Sequence, residues 1–388
     1  MYYFLLQPQR HFASVSRPKI TKVAMLHDKV IDTLRLIRSQ NVGPRTFFSL
    51  IDLYGTPKNA LKHIEQLSLN GGRAKPIVVC TKAKAQRELE EIARIGAKIV
   101  TYDDPAYSPL LRNIYDPAPF MTYFGDPTLM STNCIAVVGA RGASLVAKKL
   151  TETIASDLSK RGYTIVSGLA RGIDTCAHIA SIEGGTIAVV AGGLDHVYPP
   201  ENIRLFERIK ESGLILAEMP VGCAPLAQHF PWRNRIIAGL SIGTVVIEAA
   251  MNSGSLITAN CALQENREVF AVPGFPIDPR ARGCNYLIKN GAYLIEDVDD
   301  IIANLPKVDG PSIGEKSQNL APIANPLAYD IDNFTRNNVR ELLSSHPCEI
   351  ESIASHLSIP LPVLQVIILE LELAGNALRH PGNKISSI

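Results

Sequence analysis

Val137-Val138-Gly139-Ala140-Arg141-Gly142 is the stretch on which the fold turns, and Val166-Ser167-Gly168-Leu169-Ala170-Arg171-Gly172-Ile173-Asp174 repeats its plan one strand later. Each reads as a short apolar strand that runs into small residues beside an arginine and then into a helix. Outward from these two, strands 134–139, 163–167, 186–191, 214–218, 243–248 and 268–272 alternate with helices 144–161, 173–183, 201–212, 233–240 and 255–265. A short helix–strand unit closes the series near 303. Nearly all-apolar strands alternating with helices specify an α/β parallel sheet covered on both faces. In such a sheet the turns gather at the carboxyl ends of the strands, where ligands bind.

The flanks differ in texture. Residues 1–27 carry Arg10, Arg17, Lys19 and Lys22 with no acid before Asp28, and read as disordered or as an upstream extension. Residues 28–75 carry helix-period apolar positions on both sides of Asn41-Val42-Gly43-Pro44, a SAM/helix-hairpin-helix-like arrangement. Its turn either offers N–H groups to a phosphate or simply joins two helices of a bundle. The α/β unit takes 76–303, with helix 83–95, strand 97–102 and a proline-rich connector from 105 to about 132. Residues 304–334, rich in Pro, Asn, Ser and Gly, read as a linker. Residues 335–388 hold three short helical patterns and a ribbon at Leu378–Ile385, the outline of a winged-helix module. Its last helix carries Glu370 and Glu372 and no Lys or Arg, which suits protein contact better than a major groove.

At 388 residues the chain is long enough for two or three domains, and 46% hydrophobic with 20% charged residues is ordinary for a globular protein. A net charge of +2 neither supports nor excludes a polyanion partner, since a basic groove can hide in a balanced total. No run approaches membrane-spanning length. The seven scattered cysteines form no metal-type spacing and fit a reducing cytoplasm.

The turns suggest phosphate chemistry. Glycine lets a backbone approach closely, helix amino ends offer N–H groups, and arginine forks onto phosphate oxygens. Arg141 precedes a helix whose N-cap is Ser144, and Ser167, Gly168, Arg171 and Gly172 repeat the arrangement. Arg233, Asn234 and Arg235 open a helix beside Phe230 and Trp232, the only tryptophan. Aromatics interleaved with arginines suit single-stranded nucleic acid, although Trp232 reads equally well as a core plug. NAD is disfavoured, because Arg141 stands where the dinucleotide fingerprint needs its second glycine and no acid ends the next strand. A P-loop is absent, and His178, His196 and His229 near the loop mouths read as structural.

Taken together, Gly139-x-Arg141, Ser167 to His178, Tyr198-Pro199, Glu218-x-Pro220, Phe230 to Ser241, Glu248-Ala249, Ser253 to Ala259 and Val272-Pro273-Gly274 closely resemble the DNA-processing protein A (DprA/Smf) family. The resemblance implies an extended Rossmann-like domain that binds single-stranded DNA without strong sequence preference. It further implies a cytoplasmic homodimer that loads RecA on the strand during natural transformation, with no catalysis, cofactor or metal. By the same match phosphate contacts fall on Gly139, Arg141, Ser144, Arg171 and their neighbouring glycines, with Lys289 as a wall of the groove. Ala140 departs from the family's usual Ser or Thr. The sheet also resembles nucleotide-processing phosphoribohydrolases, but the loop after Glu248 lacks their glycine run.

Overall fold

The computed structural model describes residues 18–306 and 331–388. Most of the expected disordered amino terminus and most of the expected linker lie outside those residues. The part that is described differs from expectation: residues 18–27 form the first turns of the helix Pro18–Ile37.

Strands β1 (Lys98–Thr101), β2 (Phe120–Gly125), β3 (Cys134–Gly139), β4 (Thr164–Ser167), β5 (Thr186–Val190), β6 (Leu214–Ala217), β7 (Gly243–Ile247), β8 (Glu268–Ala271) and β9 (Tyr293–Leu294) form one sheet, in the order β1-β2-β6-β5-β4-β3-β7-β8-β9. From β6 to β9 every neighbour is parallel. β1 and β2 add an antiparallel margin to that core. β2 was expected to be connector, because Pro117, Pro119 and Pro127 bracket it. The prolines lie just outside the ladder, and Phe120 to Phe124 are all buried between them.

Alternation along the strands sorts the core into two faces. Ala136, Val138, Val166 and Val246 meet the helices His229–Leu240, Gly254–Gln264 and Arg282–Lys289 on one side. Ile135, Val137, Ile165 and Val245 meet Leu145–Lys160 and Ile173–Ser181 on the other. The helix Pro18–Ile37 also joins the sheet, since Ile31 and Leu34 pack with Phe120, Phe124 and Ile215. Among the described residues no single helix is long and apolar enough to cross a membrane.

Strands β10 (Cys348–Glu349), β11 (Ala377–His380) and β12 (Lys384–Ser387) make the antiparallel sheet of the winged-helix domain. Its helix Leu361–Ala374 does not stand apart. Leu369 and Leu373 enter the core of the amino-terminal helices with Leu36, Phe47, Leu50 and Ile64. The acids of that helix point inward as well: Glu370, 1% exposed, pairs with Arg336 at 2.8 Å and accepts from Asn70 Nδ2 at 2.9 Å. Glu372 pairs with Arg379 at 3.3 Å, and burial raises its carboxyl while Arg379 pulls it back. The two acids that read as unsuited to a major groove are thus spent on ion pairs within the chain. The helix is withheld from a DNA groove by being core. Asn41, in the hairpin turn, donates to Leu373 O at 2.9 Å, so the turn too is tied to the tail.

Candidate nucleic-acid interface

β3 and β7 are neighbours, yet the chain leaves them towards opposite faces, to Leu145–Lys160 and to Gly254–Gln264. Such a switch point opens a crevice at the carboxyl ends of the strands. A cavity of about 310 Å³ lies there, lined by Gly139 and Arg141 after β3, by Asp174, Arg233 and Asn234, and by Ser253 after β7. The structure thus brings together Gly139, Arg141, Arg233 and Asn234 of the sequence-derived set, with Asp174, Phe230 and Ser253 besides.

The arginines divide sharply. Arg141 is exposed, with its guanidinium carbon 5.2 Å from the centre of the Phe230 ring, within cation–π range. Phe230 meets Tyr198 edge-on at 5.7 Å. Trp232 is 50% exposed and lies tilted against His229 at 5.6 Å, so the core-plug reading does not hold. Arg171 is exposed in the next loop and pairs with Glu201 at 2.9 Å across solvent.

Arg233 and Arg235 are not surface groups, which corrects the expectation that both face a strand. The helix turns Arg233 under the sheet ends, where it donates to Gly168 O at 2.6 Å and to Val189 O. A side chain at Gly168 would collide with that guanidinium, which explains the glycine better than phosphate approach does. Burial lowers Arg233 to about 10, with Asp174 opposing and Arg141 adding to the shift. Asp174 accepts from Gly168 N at 3.1 Å and Ala170 N at 3.2 Å; burial raises its carboxyl, and Arg233 counters. Arg235 forks onto Glu218 at 2.5 and 2.6 Å and donates to Asp116 O at 2.6 Å.

The remaining residues follow the same test. Ser167 is fully buried and donates to Val137 O at 2.6 Å, which corrects its reading as a phosphate contact. Asn234 donates to Gly254 O at 3.2 Å and is likewise turned inward. Gly172 has φ +77°, and a Cβ there would overlap the Ala140 carbonyl, so glycine is required for the turn to close. Lys289 is exposed at the far end of Arg282–Lys289, whose start, not its end, meets the carboxyl end of β7 through Gly283 N and Ala249 O, which corrects its reading as a wall of the groove.

Ser144 caps the helix as expected, accepting from Ala147 N at 3.1 Å. Its own donors are taken. Oγ donates to Glu248 Oε1 at 2.6 Å and N to Glu248 Oε2 at 2.8 Å, so no phosphate can use them in this arrangement. Sequence reasoning missed this role for Glu248. The pairing spans 104 residues and follows only from β3 and β7 being adjacent, which local pattern does not reveal.

His178 is fully buried, with Nδ1 2.7 Å from Thr186 Oγ1. That hydroxyl spends its proton on Ile165 O at 3.0 Å, so Nδ1 is the protonated nitrogen and Nε2 is left bare. Burial first and Arg233 second push the imidazole down to about 3. It is structural, as the sequence suggested.

Residues 98–306 match the family described as DNA recombination-mediator protein A, 27–90 the DprA-like N-terminal HHH domain, and 326–383 the DprA winged helix domain. The chain is 45% identical over 202 residues to the DNA processing protein DprA of Streptococcus pneumoniae, covering 52% of this chain and 71% of that one. It is 36% identical over 322 residues to the protein Smf of Synechocystis, covering 76% and 81%. The X-ray structure of DNA processing protein A from Streptococcus pneumoniae superposes with a TM-score of 0.58 at 35% identity, over 71% of this chain and 97% of that one. On sequence, domain order and fold alike, the chain belongs to the DprA/Smf family of DNA-processing proteins.

Proposed function

We propose that the chain binds single-stranded DNA at the mouth of the β3/β7 crevice, as a binder without catalysis. The observation that carries this reading is Arg141, exposed at the rim of the cavity and stacked on Phe230, with half-exposed Trp232 on the same helix. A guanidinium takes a phosphate oxygen while aromatic faces accept any base, a combination that favours unpaired strands and reads little sequence. Arg171 extends the basic rim to the next loop. Gly139 and Gly172 shape it, and the inward-turned Ser167, Gly168, Arg233, Asn234 and Arg235 support it from below.

The family's description as a recombination mediator supports delivery of the bound strand to RecA during transformation, in the cytoplasm, where seven free cysteines suit a reducing medium. A homodimer is supported by the exposed apolar side chains Phe275 and Ile277 in the loop after β8 and Leu294 on the edge strand β9.

The test is a titration of labelled single-stranded and duplex DNA across a salt series. Single strands should bind more tightly, with affinity falling as salt rises through counterion release. Equal affinity for both forms overturns the reading, as does release of free base from nucleoside monophosphates, which would favour an enzyme.

A further inference from the structure

We propose that Glu248 is the positioning residue of the strand-binding rim: it clasps the loop after β3 so that Arg141 projects over the cavity, and it sets a carboxylate at the amino end of Leu145–Lys160. The inference rests on the single-strand reading above and names a residue which that reading does not include.

The geometry is specific. Glu248 follows β7 directly and has φ +48°, the left-handed region that a side chain with Cβ adopts rarely. Such a backbone persists where its surroundings hold it. Both carboxylate oxygens are engaged by one residue, Ser144, through its N–H and its hydroxyl. Ser144 ends the loop that carries Arg141. The other end is fixed by Ala140, whose N–H donates to Ile247 O at 3.3 Å and whose carbonyl accepts from Ile173 N at 3.3 Å. Three residues therefore span two anchors, and both anchors draw on the end of β7. Arg141 is the first of those three residues, with its guanidinium exposed over the Phe230 ring.

The same clasp decides where a phosphate can sit. The positive end of a helix dipole attracts an anion, and here a carboxylate already stands at the cap, taking the Ser144 N–H and hydroxyl. A phosphate arriving there would meet a like charge and would find the donors of Ser144 already spent. It is directed outward to Arg141, so the loop offers a side-chain fork in place of a backbone nest.

The experiment uses the full chain with fluorescein-labelled oligothymidylate, read by anisotropy over a salt series, with thermal midpoints alongside. Glu248→Ala should weaken binding about tenfold, the scale of one charge-assisted contact, and flatten the salt dependence. Glu248→Gln keeps an oxygen for the Ser144 N–H and can donate its NH2 to Ser144 Oγ, reversing that bond, so it should recover most of the loss. In an Arg141→Ala background Glu248→Ala should cost nothing further, because there is no guanidinium left to position. If Glu248→Ala does not fold, Ser144→Ala cuts the hydroxyl half of the clasp and should show a smaller loss, again absent without Arg141. Tighter binding by both Glu248 variants would make the carboxylate only a repulsive charge and overturn the role. Full additivity with Arg141→Ala, or wild-type binding by Glu248→Ala at every salt, overturns it as well. Failure of the wild-type chain to retain the strand defeats the single-strand reading itself, a separate result.

Discussion

Arg141 and Arg171 stand on loops at the ends of β3 and β4 with their guanidiniums open to solvent, while Arg233 and Arg235, two residues apart on one helix of the same cluster, are sunk into it. All four sit in motifs that read alike in sequence. The difference lies in what the fold places beneath them. Carbonyls of Gly168 and Val189 converge on Arg233, and Glu218 with Asp116 converges on Arg235. A guanidinium has five donors and remains charged when buried, so it is tolerated inside only where acceptors already wait. Above Arg141 and Arg171 the fold supplies an aromatic face and one exposed acid. The buried pair shapes the strand ends; the exposed pair is left for a ligand.

The hardest blow to this contrast would come from the buried side. Arg235→Ala leaves Glu218, itself mostly buried, facing no cation, and should cost about 3–5 kcal/mol in urea unfolding. Adding Glu218→Leu should return part of that loss, because the stranded charge is then gone. An Arg235→Ala protein with the wild-type midpoint would mean the pair is solvated and the contrast is false.

His178 tests the ground beneath Arg233. Its folded pKa of about 3 lies below the ordinary 6.5. Between those values the unfolded chain takes up a proton that the folded chain refuses, so stability falls as pH drops through that window. Asp174, raised by burial, acts oppositely, since the folded state keeps a proton the unfolded state has lost. The comparison of wild type with His178→Asn isolates the imidazole. The variant keeps a donor for Thr186, and its stability should vary less from pH 6.5 down to about 3. Parallel curves would place a proton on His178 in the fold.

On the exposed side, Arg141→Ala should weaken single-strand binding by about 1–3 kcal/mol while leaving the thermal midpoint nearly unchanged. Lysine should recover only part, since a point charge cannot replace a planar fork stacked on Phe230. Loss of stability without loss of binding would move Arg141 into the buried class.

What the sequence revealed follows the range of each interaction. The alternation from β3 to β8 was legible because strand period, helix period and turn residues are local. β2 was hidden by the prolines around it, although its own residues read as a buried strand. The winged-helix tail was legible as a module, but not its union with the amino-terminal helices, which depends on Leu369 and Leu373 meeting Leu50 and Ile64 about three hundred residues away. The same limit governs the site. Arg141 and Ser144 could be found from their turn, but the partners that bury Arg233 and Arg235, or saturate Ser144, arrive from strands that only the tertiary order brings near.

The smallest expected effect is also the most discriminating, because it concerns an arginine between the two classes. Arg171 pairs with Glu201 at 2.9 Å while both side chains remain more than half exposed, 57% and 59%. Exposed pairs of this kind contribute about 0–1 kcal/mol to folding, so Glu201→Gln should leave the thermal midpoint unchanged. It removes a carboxylate that competes with phosphate for the same guanidinium. Single-strand affinity should therefore rise a few-fold, by less than about 1.4 kcal/mol, most clearly at low salt where the Debye length is long. Arg171→Ala should abolish the gain, since Glu201→Gln acts by freeing that side chain. If Glu201→Gln instead destabilises the fold, the pair belongs with Arg235 and Glu218; if it tightens binding equally without Arg171, the carboxylate acts by repulsion alone and Arg171 leaves the rim.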